Sequence, residues 1–305
     1  MCYNVFMEKC NLCPRQCNIT RPGFCGEGEV LSIARAALHY WEEPCISGDK
    51  GSGAVFFTGC NLKCIYCQNA AISDGGVGRK ITSEELCDIF FDLQNQGANN
   101  INLVTPTHFI KQIKEAIIMA KEKGFDLPFV YNTSGYEKVE SLKLLDGLID
   151  IYLPDFKYMD VKKAKDYSNA PDYPDTAKKA LEEMVRQVGK CVIGDDGIMR
   201  KGIIVRHLVL PLGVHNAKDV IDYLYETYGD SIYVSVMNQY TPLYDSDVLS
   251  DAGRKRLEAF PELHRRTTKR EYEKVVDYCI DKGMTNVFIQ EGETAKESFI
   301  PPFKK

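Results

Sequence analysis

Cys60, Cys64 and Cys67 fall in one short stretch, Gly-Cys-Asn-Leu-Lys-Cys-Ile-Tyr-Cys-Gln-Asn over residues 59–69. Thiolates are strong metal ligands, and this spacing lets a single loop wrap one metal assembly. A closed zinc site needs a fourth ligand, and neither a cysteine nor a histidine lies near enough in sequence to provide it. Three thiolates on a four-iron cluster instead leave one iron open to bind another molecule. Upstream, Cys10, Cys13, Cys17 and Cys25 offer enough thiols to close a second site completely. Such a site is structural or electron-relaying, and either zinc or an auxiliary iron–sulfur cluster fits the ligand set. Cys2, Cys45, Cys87, Cys191 and Cys279 are expected to pack as small apolar side chains.

The elements that must position these thiols follow from periodicity. From about residue 53, short runs rich in β-branched and aromatic residues alternate with helical patterns, the signature of βα units around a parallel sheet. Strands are expected near 54–58, 101–105, 128–132, 150–154, 203–210, 232–237 and 287–290. Leu86, Ile89, Phe90 and Leu93 recur at helical spacing behind a capping box of Thr82 and Glu85. Thr268 with Glu271 opens another helix, anchored by Val275, Val276 and Cys279. A Gly-Asp-Asp-Gly turn at 194–197 marks an inserted hairpin. Residues 241–266, where Asp245, Asp247 and Asp251 are interspersed with Arg254–Arg256, read as a loop or lid. The loops after parallel strands gather on one face, so chemistry is expected just past strand ends. The first thiol loop directly follows the first strand of the series.

The Cys-x3-Cys-x2-Cys spacing with Tyr66 before the last cysteine resembles the radical S-adenosylmethionine (SAM) superfamily. Cys10–Asn69 with His39, Glu42, Glu43, Pro44 and Gly51-Ser52-Gly53 looks like the branch related to pyruvate formate-lyase activating enzyme. Thr105-Pro106-Thr107-His108, Asp155-Phe156-Lys157, Arg206-His207 and Gln239-Tyr240-Thr241-Pro242 extend that likeness along nearly the whole chain. The resemblance implies an α/β fold, a partial barrel of about six βα units holding a [4Fe-4S] cluster on Cys60, Cys64 and Cys67. It also implies that SAM chelates the open iron, and that an electron from the cluster cleaves SAM to a 5′-deoxyadenosyl radical that abstracts a hydrogen.

Three parts are expected: a cysteine-rich module at 1–50, the barrel at 51–240, and an extension at 241–305. Tyr66, Thr105, Thr107, Asn132, Asp155, Lys157, Arg206 and His207 are the expected SAM-holding residues. Where activating enzymes carry a Gly-Gly-Glu type segment, this chain has Thr-Pro-Thr-His, so hydroxyls or carbonyls must replace a carboxylate; Thr107 also reads as a helix N-cap. Asp155 and Lys157 point to the same side of an extended segment, to share one ligand or form a salt bridge. Arg206, in an apolar run, needs a partner, either the SAM carboxylate or an inward acid. His39, Glu42 and Glu43 read as packing between module and barrel.

The substrate expected from the resemblance is a glycine in a protein partner; a small metabolite, a peptide side chain or a nucleic acid base are alternatives, as is a non-catalytic metal scaffold. An electron donor such as flavodoxin or ferredoxin is implied. The 305 residues carry 38 Lys and Arg against 43 Asp and Glu, a net charge of −5, which disfavours nucleic acid as a partner. No apolar run reaches a membrane span, no secretion signal is seen, and twelve cysteines in a reducing compartment suit metal binding. A cytoplasmic protein is expected.

Overall fold

The computed structural model describes residues 9–75, 77–246, 249 and 251–290. Cys2, Asp247 and residues 291–305 of the expected extension lie outside them. In chain order the elements are β1 (Leu31–His39), α1 (Pro44–Ser47), β2 (Ser52–Phe57), α2 (Ala70–Ser73), β3 (Arg79–Ile81), α3 (Ser83–Asn95), β4 (Ile101–Val104) and α4 (Ile110–Glu122). There follow β5 (Phe129–Thr133), α5 (Val139–Leu142), β6 (Ile151–Pro154), α6 (Val161–Ser168), α7 (Tyr173–Val188), β7 (Val192–Ile193) and β8 (Met199–Leu208). The last are α8 (Val214–Tyr228), β9 (Tyr233–Met237), α9 (Asp251–Leu257), α10 (Lys269–Asp281) and β10 (Val287–Ile289).

One curved sheet runs in the order β10-β9-β8-β6-β5-β4-β2-β1-β3. The pairs from β2 to β10 are parallel, whereas β1 pairs antiparallel with both β2 and β3. Strands β4, β5 and β6 are buried on both faces, which is why they read as near-continuous apolar runs. This is a partial α/β barrel. Side chains alternate across it: Phe129 and Tyr131 join the helix-packed layer, while Val130 joins Ile151, Leu153 and Ile204 inside. Cys45 and Ile46 of α1 pack into that inner cluster. Asn100 ties α1 to the sheet by donating to the Ile46 carbonyl (2.8 Å) while accepting from Ser52 (2.6 Å).

Both capping boxes form, Thr82 with Glu85 on α3 and Thr268 with Glu271 on α10. The inserted hairpin is β7 against β8. Helix α10 docks through Tyr272, whose hydroxyl donates to the Val236 carbonyl at 2.8 Å. Two strands went unread in the sequence. β1 lies ahead of residue 50 yet pairs along its length with β2, and β3 has only three residues. The segment 241–266 is not a plain loop: it contains α9 and a short 3-10 turn at Pro261–His264.

Candidate functional site

Glycine 59 makes the turn out of β2 possible. Its φ of +78° suits glycine, and a Cβ there would stand 2.7 Å from the Cys25 carbonyl oxygen and 2.6 Å from Glu27 Cγ. The thiol loop that follows is pinned from two sides. The Ile65 amide donates to the Tyr167 carbonyl of α6 (2.9 Å). Arg15, inside the upstream cysteine module, donates to the carbonyls of Asn61 (2.8 Å), Ser168 (2.9 Å) and Asn169 (2.5 Å), and lies over the rings of Phe24 and Tyr136.

Cys60, Cys64 and Cys67 line one cavity of ≈ 230 Å³ together with Glu42, Phe56, Tyr66, Thr105, Asn132, Asp155, Lys157, Arg206, Met237 and Gln239. Burial, and then the neighbouring thiols, push the Cys67 thiol up to about 12; burial also raises Cys60. Such thiols stay protonated until a metal displaces the proton. Donors already face the sulfurs, with the Leu62 amide 3.3 Å from Cys60 Sγ and the Ser168 hydroxyl 3.0 Å from Cys64 Sγ. Among the described residues no three His, Cys, Asp or Glu side chains converge as a set for a single metal ion. Three thiols spread around one cavity fit a polynuclear cluster.

The polar wall is an ion network. Arg206 on β8 reaches Asp155 (2.9 Å), Glu42 (3.0 Å) and the Asn132 amide oxygen (2.7 Å). Lys157 donates to the other Asp155 oxygen at 2.6 Å. Burial alone would raise Asp155, but the charges of Arg206 and Lys157 hold its carboxyl below the usual range. Burial opposes the charge on Lys157 too, and the Asp155 carboxylate outweighs it and raises its pKa. Of the two partners considered for Arg206, the structure supplies inward acids. Thr105 lines the cavity with φ +59°, a left-handed conformation that costs of order 1 kcal/mol for a non-glycine residue and concentrates at functional sites.

Thr107 and His207 lie elsewhere. The Thr107 hydroxyl donates to the buried Glu137 at 2.6 Å instead of capping a helix. His207 is buried and its Nδ1 donates to the Phe156 carbonyl at 2.7 Å; burial lowers its pKa to about 4. Glu42, read from sequence as interface packing, instead enters the cavity and is held by Arg206 and by the amides of Asn102 (3.0 Å) and Asn132 (3.3 Å). Neighbouring Glu43 is buried, and burial raises its pKa. The unread signal was an acidic pair placed three residues past the end of a strand.

In the upstream module, Cys13 and Cys25 are buried and Cys10 and Cys17 are half-buried. The Phe24 amide donates to Cys17 Sγ at 3.4 Å. Burial pushes the Cys13 thiol up to about 12. Cys45, Cys87 and Cys279 are buried in the core as expected, and Cys191 is half-buried.

Residues 54–198 match the sequence model of the Radical SAM superfamily. The thiol loop at the first parallel strand of the partial barrel lies inside the matched segment, and the cofactors of that family are a [4Fe-4S] cluster and SAM. An uncharacterized protein of Methanocaldococcus jannaschii is 28% identical over 287 residues, 90% of this chain and 75% of that one. A second uncharacterized protein of the same organism is 25% identical over 202 residues, covering 58% and 54%. The structure resembles Streptococcus suis SuiB (TM-score 0.50, 15% identity, 78% of this chain and 48% of SuiB). It also resembles native anSMEcpe with bound AdoMet (TM-score 0.50, 14% identity, 76% of this chain and 61% of that one). The chain thus spans about half to three fifths of the solved structures it resembles, and those likenesses concern the fold. No helix among the described residues is long and apolar enough to cross a membrane.

Proposed function

We propose that the chain directs the radical derived from SAM at a protein or peptide, with a glycine of a partner protein as the target that the resemblance to pyruvate formate-lyase activating enzyme implies. One observation carries this reading: the three thiols and the strand-end polar groups line the same cavity. Its wall continues past Trp41, Glu42 and Gln239 into an adjoining cavity of ≈ 300 Å³, which gives a chain-like substrate room beside the site. When bound, the cluster on Cys60, Cys64 and Cys67 supplies the electron that splits SAM.

This chain's residues bind and orient. Thr105, Asn132, Asp155 and Lys157, with the ring of Tyr66, are the groups that would hold SAM. Arg206 fixes Asp155 and Glu42 so that their carboxylates do not wander. Thr107 and His207 support the site from behind, through Glu137 and the Phe156 carbonyl. The aromatic and aliphatic wall keeps out water and stray hydrogen donors. In the same reading Cys10, Cys13, Cys17 and Cys25, which do not converge as a set in this structure, would draw together on a second metal group, zinc or a cluster, the described part of the expected extension, up to residue 290, belongs with the barrel, and a flavodoxin or ferredoxin delivers the electron.

Anaerobic reconstitution tests the reading. The reduced protein should release 5′-deoxyadenosine from SAM, and Cys64→Ala should abolish that release. Adding candidate glycyl radical proteins of the same cell should give a protein glycyl radical spectrum. Nucleoside release with no such spectrum from any of them overturns the glycine assignment. Metal analysis of a Cys60→Ala/Cys64→Ala/Cys67→Ala variant separates zinc from iron in the upstream module.

A further inference from the structure

Ser168 is the last residue of α6, and it is buried. Its hydroxyl lies 3.0 Å from Cys64 Sγ. The Tyr158 hydroxyl is 2.8 Å from Ser168 Oγ, and the Tyr66 hydroxyl is 2.6 Å from that of Tyr158. Both tyrosines are buried. Each hydroxyl has one proton to donate. A metal-bound thiolate can only accept, so Ser168 gives its proton to Cys64. Tyr158 must then donate to Ser168, and Tyr66 to Tyr158. Three O–H dipoles line up, all directed at one sulfur of the loop.

Two features hold the donor in place. Asn169 ends α6 in a left-handed conformation (φ +48°), and Arg15 spans the carbonyls of Ser168, Asn169 and Asn61. The same guanidinium therefore grips both the helix end that carries Ser168 and the loop that carries Cys64.

We propose that Ser168 is a positioning residue that sets the reduction potential of the cluster, acting through Cys64 with Tyr158 and Tyr66 behind it. The proposal rests on the assignment of Cys60, Cys64 and Cys67 as cluster ligands. One electron from a low-potential one-electron reductant enters the cluster and makes its sulfurs more negative. A hydrogen bond to a ligand sulfur favours that reduced form and raises the potential. No bond is made or broken, and the proton stays on Ser168 Oγ. Burial strengthens the effect, because a chain of hydrogen bonds in a low-dielectric interior polarises along its length.

A redox titration of the anaerobically reconstituted protein, followed by electron paramagnetic resonance, reads the midpoint directly. Ser168→Ala should lower the midpoint at equal iron content, and Ser168→Thr, which keeps a hydroxyl, should return it towards the wild-type value. Tyr158→Phe should lower it by a smaller amount. An unchanged midpoint in Ser168→Ala overturns the proposal. If Ser168→Ala takes up no iron, Tyr158→Phe decides, and an unchanged midpoint there overturns it. A wild-type chain that binds no cluster overturns the ligand assignment and this proposal together, a failure visible before any variant is made.

Discussion

Arg206 and Asp155 stand side by side on neighbouring strands, joined by a 2.9 Å ion pair and by an isolated parallel bridge between their backbones. The second oxygen of the same carboxylate holds Lys157 at 2.6 Å. One anion thus serves two largely buried cations. Removing one partner of a buried pair typically costs about 3–5 kcal/mol, because the remaining charge is stranded. Asp155→Ala should lose stability on that scale in denaturant unfolding. The double variant Asp155→Ala/Lys157→Met should regain part of it, since one stranded cation is gone; a double variant no more stable than the single would contradict this account.

Glu137 makes the stability of the chain depend on pH. Burial raises its carboxyl from the ordinary value of 4.5 to about 7, despite hydrogen bonds from Thr107 and Thr133. Between those values the folded state keeps a proton that the unfolded chain has lost. The stabilisation is therefore complete below pH 4.5 and disappears as pH rises to about 7, a change of about 3 kcal/mol. His108 and His207 work in the opposite sense: burial lowers each from 6.5 to about 4, so their contribution is complete above 6.5 and lost towards 4. Glu137→Gln should lack the loss on the alkaline side. Tm profiles of variant and wild type that run parallel between about pH 5 and 7.5 would count against it.

Gly59→Ala should destabilise the chain by about 1–3 kcal/mol. The added Cβ meets a backbone carbonyl that cannot move aside as a flexible side-chain end would, and the φ of +78° disfavours it independently. Thermal unfolding is the measurement. Gly97→Ala is the control, since it shares a positive φ but its Cβ meets nothing within 4 Å; equal losses in the two would show that crowding contributes nothing.

Arg15→Lys should loosen the upstream module from the thiol loop. An ammonium keeps the charge but cannot reproduce a planar fork that meets several carbonyls at once. The cost should be about 1–3 kcal/mol, with faster amide exchange at Ile65 and at Asn18, whose amide donates to the Cys10 carbonyl at 3.0 Å inside the module. Unchanged exchange at both would show that the guanidinium does not hold the module.

Much of the barrel was readable because its central strands are buried on both faces and alternate with helical patterns, two of which open with capping boxes. β1 escaped because Arg35 and His39 interrupt its apolar run, and because its partner is set by the antiparallel register with β2 and not by any local pattern. The thiol loop was plain from spacing alone. Glu42 and Ser168 were not, since their roles come from contacts 164 and 104 residues away in sequence, with Arg206 and Cys64. Thr107 sat beside the right strand end, but its hydroxyl met a buried acid 30 residues on, a pairing that no spacing rule encodes.

The grip of Arg15 on Ser168 and Asn169 joins points 153 and 154 residues apart. More than half of the chain must leave the ribosome before that contact can close. During synthesis, then, the thiol loop emerges long before the helix end that completes its clamp, and settling of the loop belongs among the late steps of folding.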